Sequence, residues 1–308
     1  SEPAAARGAI WQQDGAVANY LNTSLQAIPL ANEQMDAMCQ VIGAFGVPTR
    51  SVLDVGAGDG AAAEVIARRF PVERVTLVDF SPPMLARARE RFAGSPVSVN
   101  IVDADLGDPG WREHLPDDVP VYDLVVSRYA IHHLPHERKH ALYAEIHNLL
   151  APGGLFCNIE HVSSVSPVYT DIFERLIING MVATSDGSLD IEAATAAFQA
   201  RQDAQTNILA PAEDQCAWLR EIGFVDVDVV MKVFELAVIV ARRADDPWGW
   251  NGSQRGVVRA LDPSAVGTQL GLHVNGHRVR PPMHRGACSD HVTDACGPST
   301  RRHPTGQR

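Results

Sequence analysis

The stretch "VLDVGAGDG", residues 52–60, joins a short apolar run to three glycines at alternate positions, Gly56, Gly58 and Gly60. The apolar run predicts a buried strand, and the segment after the glycines predicts a helix. Glycine lets the connecting backbone turn sharply and approach a ligand closely just before that helix begins. The stretch therefore predicts a strand, turn and helix unit with a ligand at the turn.

The same alternation continues along the chain. Further predicted strands are "RVTLVDF" (74–80), "VSVNIVDAD" (97–105), "YDLVVSRYA" (122–130) and "GGLFCNIEHV" (153–162). Helical segments separate most of them, which predicts parallel βαβ units covered on both faces. Two later runs, 225–233 and 234–243, follow each other directly and predict an antiparallel last strand. The predicted fold class is α/β: a doubly wound, Rossmann-like sheet, mostly parallel.

Three regions surround or interrupt this sheet. Residues 1–45 predict N-terminal helices that cover the site, and residues 46–244 predict the ligand-binding domain. At about 163–210 the alternation pauses, and two helical stretches form an insertion at the ligand-binding edge, which we interpret as a lid. Residues 245–308 are rich in Gly, Pro, Arg and His and lack periodicity, which predicts an irregular C-terminal tail.

Acidic residues strengthen the interpretation of the glycine turn. Asp79 lies 19 residues beyond Gly60, at the end of the next strand, where a carboxylate can accept both hydroxyls of a ribose. Asp54 precedes the turn inside an apolar strand and suits ordering the loop or meeting a cation. Asp105 follows the third strand and suits an adenine amino group. A nicotinamide cofactor would favour a third glycine where Ala61 stands, so the pattern favours another nucleoside-containing ligand.

At this point the chain resembles the class I S-adenosylmethionine-dependent methyltransferases, over about residues 45–243. "VLDVGAGDG" is similar to the first motif of that family and "LVDFSPPML" (77–85) to its acidic second motif. "DADL" (103–106) resembles the motif beside adenine, "YDLVVSRYAIHHL" (122–134) that of the fourth strand, and "LLAPGGLF" (149–156) the turn before the fifth. The resemblance implies S-adenosyl-L-methionine as the cofactor.

The resemblance also implies a set of cofactor-binding residues. In chain order they are Tyr20, Asp54, Gly56, Ala57, Gly58, Asp79, Phe80, Met84, Asp105, Leu106 and Ser127. The backbone of residues 56–58 would cradle the methionine portion, and Asp54 would help to hold it. Asp79 would take the ribose, with Phe80 beside it.

The remaining implied positions surround the adenine and the sulfonium. Met84 would lie near the adenine, which Asp105 and Leu106 would contact. Ser127 would lie at the edge near the sulfonium. Tyr20 would lie over the cofactor, as tyrosines do in some relatives.

Candidate catalytic residues follow the fourth and fifth strands. His132 and His133 come just after strand four, where successive side chains diverge, so one is expected to face the pocket and the other to pack below it. Glu160 and His161 end strand five at the same edge. Histidine is suited to removing a proton near neutral pH, which oxygen and carbon nucleophiles often require. The sequence does not distinguish between His132 and His133, and each of the four residues also admits a structural role.

The insertion offers weaker candidates, Tyr169, Arg201 and Asp203. On the helix predicted after Pro135, four residues recur on one flank, which we interpret as exposed: His136, His140, Tyr143 and His147. No metal site is expected there, because no third ligand is identified. An alternative is a non-catalytic or metal-binding module that uses tail residues. These are His273, His277, His284, Cys288, His291 and Cys296.

The composition of the chain limits the classes of partner that it is expected to bind. The formal net charge is −11, which disfavours nucleic acid, because a phosphate backbone attracts clustered Lys and Arg. The sequence contains no run long enough to span a membrane, and a cytoplasmic location is expected. The oligomeric state stays open, a homodimer included. The predicted function is methyl transfer to an O, N, C or S nucleophile of a small molecule, and the alternative within the fold is transfer of a carboxymethyl group.

Overall fold

The protein is described from a computed structural model that covers residues 9–21, 27–201 and 203–245. A seven-stranded sheet organises these residues in the order β3-β2-β1-β4-β5-β7-β6. The strands are β1 (Ser51–Val55), β2 (Arg74–Asp79), β3 (Ser98–Asp103), β4 (Tyr122–Arg128), β5 (Leu150–His161), β6 (Phe224–Val233) and β7 (Leu236–Arg243). Strands β1 to β5 pair in parallel, and β7 runs antiparallel to both β5 and β6. The predicted fold class is confirmed.

Helices cover both faces of the sheet. They are α1 (Asp14–Asn19), α2 (Ala31–Phe45), α3 (Ala61–Arg69), α4 (Pro82–Arg91), α5 (His136–Leu149), α6 (Pro167–Ala183), α7 (Ile191–Gln199) and α8 (Ala212–Ile222). Local sequence sets several of their ends. The hydroxyl of Ser81 accepts from the N–H of Met84 and caps α4, and Gly223 ends α8 with a φ of 112°. Within the described ranges, no helix is long and apolar enough to cross a membrane.

Alternate residues of the central strands supply two separate cores. Val52 and Val126 belong to the core beneath α2 and α3, whereas Leu53 and Val125 belong to the core beneath α5 and α8. All four side chains are fully buried, and each such burial stabilises the fold by roughly 1.5–3 kcal/mol. Burial on both faces explains why these strands are apolar without alternation.

The inserted helices pack against the N-terminal part of the chain. Phe173, Ile177 and Met181 of α6 join the same core as Met35 and Met38 of α2. Helix α6 also approaches the backbone closely, since a Cβ added at Gly180 would lie 2.6 Å from the carbonyl oxygen of Ala27. The division of the chain into residues 1–45, 46–244 and 245–308 stays a prediction, and the tail after Asp245 lies outside the described residues.

The N-terminal region contains a 3₁₀ turn (Ala9–Gln12), the six-residue α1 and then α2, which begins after Leu30 at a φ of 58°. One expectation about the helices is corrected. Tyr143 was expected on an exposed flank of α5, but it is fully buried. Its hydroxyl donates to Oε1 of Gln215 at 2.5 Å, which satisfies the polar group. Helical spacing alone could not reveal that α8 covers this flank.

Candidate functional site

A cleft opens at the carboxyl ends of β1, β2 and β4, where an open α/β sheet ordinarily binds its ligand. Ten of the residues singled out from the sequence line it. They are Tyr20, Gly56, Ala57, Gly58, Asp79, Phe80, Met84, Asp105, Leu106 and His133. Five others, Asp54, Ser127, His132, Glu160 and His161, are not among the described residues that line it.

The glycine turn follows β1 directly and forms the floor of the cleft. The N–H groups of Gly56 and Ala57 both donate to the carbonyl of Val78, at 2.8 and 2.9 Å, which fixes the turn against β2. Gly56 has a φ of 69°, and a Cβ at this position would overlap the Cβ of Ala130. Only glycine therefore allows the turn to pass this close to the residues that follow β4.

Asp79 organises the second loop of the cleft. Its Oδ2 accepts from the N–H of Gly58 at 2.8 Å and its Oδ1 from the N–H of Ser81 at 2.9 Å. Burial raises the pKa of Asp79 to about 6, although these N–H groups act in the opposite direction. The carboxylate thus holds the glycine turn and the start of α4 in one geometry, at the position where the ribose is expected.

Asp54 lies behind the glycine turn rather than on the cleft wall. It is 1% exposed, and neither of its buried carboxylate oxygens makes a hydrogen bond of normal geometry within the described chain, although the N–H of Ala63 is directed towards it. Burial raises the pKa of Asp54 to about 7, and the Ala63 N–H and the charge of Arg128 oppose this shift. A buried carboxylate without well-formed hydrogen bonds is costly, so its presence under a ligand-binding turn indicates a functional constraint.

The far end of the cleft carries the residues expected near adenine. Asp105 is exposed, and its Oδ1 accepts from the N–H of Gly107 at 2.7 Å, while the next residue, Leu106, is buried. Arg138 fixes this loop by donating from Nε to the carbonyl of Leu106 at 2.6 Å. Met84 lies against the turn, since a Cβ added at Gly58 would lie 3.7 Å from its sulfur.

Ser127 is located differently from the expectation. It is fully buried, and its hydroxyl donates to the carbonyl of Val55 at 2.8 Å, so it ties β4 to β1 beneath the cleft. The residue on the cleft wall is the next one, Arg128, which the sequence analysis missed. A charged residue that ends an apolar strand at this edge was a signal that could have identified it.

The N-terminal segment reaches across the cleft mouth. The side chain of Gln12 donates to the carbonyl of Phe80 at 2.7 Å, and the hydroxyl of Ser81 donates to the carbonyl of Trp11. The Trp11 ring contacts Tyr20 edge-on, with ring centroids 5.0 Å apart, and lies 5.9 Å from the ring of His133. Tyr20 therefore lines the cleft as part of an aromatic group, and Trp11, which sequence analysis missed, connects its two sides.

The structure separates the two adjacent histidines. They share a 3₁₀ turn, Ile131–His133, in which His133 lines the cleft and His132 is buried behind it, with ring centroids 4.0 Å apart. Nδ1 of His133 lies 2.9 Å from Oγ1 of Thr206, the one described residue of the 163–210 insertion on the cleft wall. Burial, then the neighbouring His132, lowers the pKa of His133 well below its usual value. His133 is accordingly neutral at pH 7.

His132 belongs to a buried network under the cleft. Its Nδ1 lies 2.8 Å from Oε1 of Glu160, which is fully buried and also accepts from the N–H of His161 at 2.9 Å. Burial lowers the pKa of His132 well below its usual value and raises that of Glu160. Both shifts disfavour the charged forms, so the contact between Nδ1 and Oε1 is a buried hydrogen bond rather than an ion pair.

The same network extends to the edge of the insertion. Nε2 of His161 lies 3.1 Å from Oε2 of Glu235, and the hydroxyl of Thr170 in α6 donates to the other Glu235 oxygen at 2.8 Å. Beneath the 3₁₀ turn, the buried Lys139 donates to the carbonyls of His132, at 3.3 Å, and Ile208, at 2.5 Å. These residues hold the turn that carries His133, and no local pattern in the sequence marks them as partners.

Two of the weaker candidates, Tyr169 and Arg201, do not line the cleft. Tyr169 is 48% exposed at the start of α6, and the guanidinium of Arg201 lies 3.8 Å from the ring centroid of Phe198. The side chain of Asp203 and the tail histidines and cysteines lie outside the described residues. Within those residues, no group of three or more His, Cys, Asp or Glu side chains is placed to hold a metal ion.

Comparison with known proteins matches the part of the chain that contains the glycine turn, Asp79 and the two adjacent histidines. Residues 52–154 match a family described as a methyltransferase domain. An uncharacterized methyltransferase from Mycobacterium bovis is 35% identical over 136 residues, which are 43% of this chain and 60% of that protein. A carboxy-S-adenosyl-L-methionine synthase from Aeromonas salmonicida is 24% identical over 227 residues, which are 72% of this chain and 86% of the synthase.

Solved structures share the fold. An O-methyltransferase family protein from Burkholderia thailandensis has a TM-score of 0.54 and 16% sequence identity, with 76% of this chain and 62% of that one covered. At this identity the likeness concerns the fold alone. The alignment with the first curated relative spans 60% of that relative.

Proposed function

We propose, on the premise that the chain belongs to the class I S-adenosylmethionine-dependent methyltransferases, that it transfers a methyl group to a small molecule held beside His133. One observation carries the proposal. The carboxylate of Asp79 binds the N–H groups of both loops that border the cleft, at Gly58 and Ser81, and so presents a preformed nucleoside site. The acidic body of the chain supports a small-molecule acceptor rather than nucleic acid.

The cleft fits S-adenosylmethionine. The turn at Gly56 leaves no room for a Cβ, and behind it neither oxygen of Asp54 makes a hydrogen bond of normal geometry. In the proposed complex, the backbone of residues 56–58 holds the methionine portion, Asp79 the ribose and the Asp105–Leu106 segment the adenine. The sulfonium supplies a methyl group that is already activated, so the protein's task is to align the acceptor and exclude water.

His133 is the proposed general base. Its low pKa leaves the imidazole neutral at pH 7, able to accept a proton from a hydroxyl or another acidic acceptor. If Nδ1 carries the hydrogen and donates it to Thr206, Nε2 carries the lone pair that takes the proton. His132, Glu160 and His161 lie behind the wall, so we assign them the role of positioning His133.

The aromatic group at the cleft mouth is proposed to exclude water. Trp11 contacts both Tyr20 and His133, and the segment is attached to the loop of Phe80 and Ser81. Residues 1–45 therefore act as the cover of the site, within the proposed division into residues 1–45, 46–244 and 245–308. A cytoplasmic location and a small-molecule substrate complete the proposal, and the oligomeric state is left to experiment.

A second candidate is synthesis or use of a carboxylated cofactor. The likeness to the carboxy-S-adenosyl-L-methionine synthase covers 86% of that protein, and Arg128 offers a cation on the cleft wall. A cofactor with an additional carboxylate would require such a cation. Mass analysis of the nucleoside released from the purified protein distinguishes the two, because the carboxylated cofactor is heavier by about the mass of CO₂.

Calorimetry tests the leading proposal. We expect the wild-type protein to bind S-adenosylmethionine and S-adenosylhomocysteine, and Asp79→Ala to bind both much more weakly. A panel of phenols, carboxylic acids, amines and thiols, assayed by release of S-adenosylhomocysteine, then identifies the acceptor. Failure of the folded wild-type protein to bind either nucleoside would exclude the function.

A further inference from the structure

The part of the cleft wall around His133 is made of uncharged side chains, and we call it the acceptor wall. Its described members, besides His133, are Trp11, Tyr20, Leu21, Leu134, Pro135 and Thr206. A site of this composition binds a small molecule by apolar contact and uses its few polar groups to orient the ligand. A charged acceptor would lose its hydration here without gaining a partner of opposite charge.

The charged residues of the cleft lie with the loops proposed to bind the nucleoside. Those described are Asp59, Asp79, Asp105, Arg128 and Arg138. The three acidic residues lie at or just beyond the ends of β1, β2 and β3. Arg138 donates to Glu145 and to the carbonyl of Leu106. The charge of Arg128 is felt at Asp54 beneath the glycine turn, where it lowers the pKa of the carboxyl. The separation of charge from the acceptor wall therefore distinguishes the acceptor from the cofactor.

Trp11 gives the acceptor wall an aromatic surface. Its ring meets that of Tyr20 edge-on, with the ring planes at 88°, and meets that of His133 at 56° with centroids 5.9 Å apart. An edge-on contact covers at most one face of either ring, and Trp11 is only half-buried, so the indole keeps surface for a ligand. Aromatic rings gain binding energy from one another beyond the area that they bury. The wall thus favours a planar ring over a saturated one.

Backbone contacts hold Trp11 in this position. The hydroxyl of Ser81 donates to the carbonyl of Trp11, and the side chain of Gln12 donates to the carbonyl of Phe80. These contacts attach the segment that carries the ring to the loop after β2. The indole and the imidazole of His133 consequently face the same acceptor across a fixed gap.

The uncharged wall and the neutral His133 together discriminate among nucleophiles. Carboxylic acids, with a pKa of about 4, and aliphatic amines, with a pKa of about 10.4, are both charged at pH 7. A thiol, with a pKa of about 8.5, already ionises in part without a base, and an aliphatic alcohol holds its proton too firmly. A phenol, with a pKa of about 10, is uncharged at pH 7 and yet acidic enough to pass its proton to an imidazole during the reaction.

We propose that the acceptor is an uncharged, planar aromatic compound with a free hydroxyl group, which packs against Trp11 and places that hydroxyl at Nε2 of His133. This inference rests on the proposed function. The hydroxyl proton passes to Nε2, the phenol oxygen bonds to the methyl carbon, and the electron pair of the breaking carbon–sulfur bond stays on sulfur. The products are an aryl methyl ether, S-adenosylhomocysteine and an imidazolium that returns its proton to water.

Four probes of similar size test the assignment. 2-Naphthol has the planar ring and an acidic hydroxyl, 2-naphthalenemethanol keeps the ring with a hydroxyl that is not acidic, trans-2-decalol is saturated, and 2-naphthoic acid is charged. Calorimetry on the protein saturated with S-adenosylhomocysteine should show that the two aromatic alcohols bind alike and the other two probes about 10-fold more weakly. With S-adenosylmethionine, only 2-naphthol should be converted, to a product heavier by one CH₂ group.

Substitutions of Trp11 test the role of the ring. Trp11→Leu should weaken binding of 2-naphthol about 10-fold and leave that of trans-2-decalol unchanged, whereas a merely structural role would weaken both alike. Trp11→Phe keeps an aromatic ring and should recover most of the affinity. The matched control is Trp218→Leu, because the Trp218 ring contacts His136 and His140 and does not line the cleft. It should change neither affinity, and thermal unfolding checks the fold of each variant.

The opposite results overturn the assignment. Binding of trans-2-decalol or 2-naphthoic acid as tight as that of 2-naphthol would refute the aromatic, uncharged acceptor. So would a protein that binds S-adenosylhomocysteine but neither binds nor methylates 2-naphthol. Conversion of 2-naphthalenemethanol as fast as that of 2-naphthol would refute the need for an acidic hydroxyl. A folded protein that binds neither S-adenosylmethionine nor S-adenosylhomocysteine refutes the proposed function instead.

Discussion

The two sides of the cleft are constructed in different ways. On the side of β1 and β2, backbone groups and one carboxylate define the surface: Val78 holds the turn, and Asp79 binds two loop N–H groups. On the side of β4, the surface depends on side chains from distant parts of the chain, since Thr206 contacts His133 and Glu160 contacts His132. The first side therefore holds its shape through backbone geometry, whereas the second depends on individual side chains.

This difference predicts how each side responds to substitution. A backbone surface has no side chain to remove, so it should fail only where a new side chain has no space or where the supporting carboxylate is changed. A surface made of side chains should lose function through single deletions that leave the fold intact. The following substitutions test that contrast, from the largest expected effect to the smallest.

Gly56→Ala should have the largest effect. A Cβ at Gly56 would overlap that of Ala130, and the backbone φ of 69° is unfavourable for alanine. The overlap and the unfavourable backbone conformation together should lower the free energy of unfolding by about 4 kcal/mol and abolish binding of S-adenosylhomocysteine. Urea unfolding and calorimetry measure the two consequences.

Two matched variants separate the causes in Gly56→Ala. Gly94→Ala has a similar φ, 78°, but open space around the new Cβ, so it should cost only about 1–2 kcal/mol. The double variant Gly56→Ala with Ala130→Gly removes the overlap and should recover most of the loss. A double variant as unstable as Gly56→Ala would show that strain, not space, fixes the glycine.

Asp54→Asn should stabilise the ligand-free protein at high pH. The pKa of Asp54 is raised by burial from 3.8 to about 7, so the folded chain keeps a proton that the unfolded chain releases between these values. Stability is therefore lost as pH rises through this window, by up to about 4 kcal/mol for a shift of this size, and less if water reaches the carboxylate. Urea unfolding at pH 5 and pH 8 should show that the free energy of unfolding of the variant, relative to that of the wild type, is higher at pH 8 than at pH 5.

Asp79→Asn is the comparison for Asp54→Asn. The pKa of Asp79 is also raised by burial, to about 6, but its two oxygens each accept a loop N–H. Asparagine can replace only one acceptor, so this variant should lose stability where Asp54→Asn gains it. If both variants are destabilised alike at pH 8, the carboxylate of Asp54 has structural partners after all.

Much of the cleft's first side was predictable from the sequence, and the reasons are physical. Glycine spacing after an apolar run, followed by Asp79 at the end of the next strand, is a local pattern in which each residue's role depends on its neighbours in the chain. The parallel pairing of β1 to β5 followed from the same alternation, and the antiparallel last strand from two runs without a helix between them. The structure places ten of the candidate residues on the cleft wall.

The second side could not be predicted to the same extent. The choice between His132 and His133 depends on the 3₁₀ turn, which Lys139 holds by contacts with His132 and Ile208. Thr206 reaches His133 across 73 positions of the chain, and no periodicity reports such a pairing. The orientation of Ser127, towards Val55 rather than the cleft, likewise depends on strand packing.

His133→Asn tests the second side directly. The variant removes the proposed base from the cleft wall, so kcat should fall about 100-fold or more with the best acceptor of the panel, while affinity for S-adenosylhomocysteine is unchanged. His136→Asn, which lies on the exposed start of α5, should change neither value. The steady-state rate of S-adenosylhomocysteine release gives kcat, and calorimetry gives the affinity for S-adenosylhomocysteine.

His132→Asn shows whether the two histidines differ as the structure indicates. It leaves the buried Glu160 without its imidazole partner, so the expected result is a loss of stability rather than a selective loss of kcat. If His132→Asn instead abolished turnover in a protein of normal stability, while His133→Asn stayed active, the assignment of the base would be reversed.

Thr206→Val should have the smallest effect on this side. Oγ1 of Thr206 lies 2.9 Å from Nδ1 of His133, and valine keeps the shape of the side chain but cannot accept that hydrogen. The imidazole then loses the partner that favours a lone pair on Nε2, so we expect kcat to fall about 10-fold, with the acceptor's KM nearly constant. Thr206→Ser, which keeps the hydroxyl, should recover most of the activity. Equal activity of the Val and Ser variants would mean that the hydroxyl does not orient His133, and the turn held by Lys139 would then suffice to position the base.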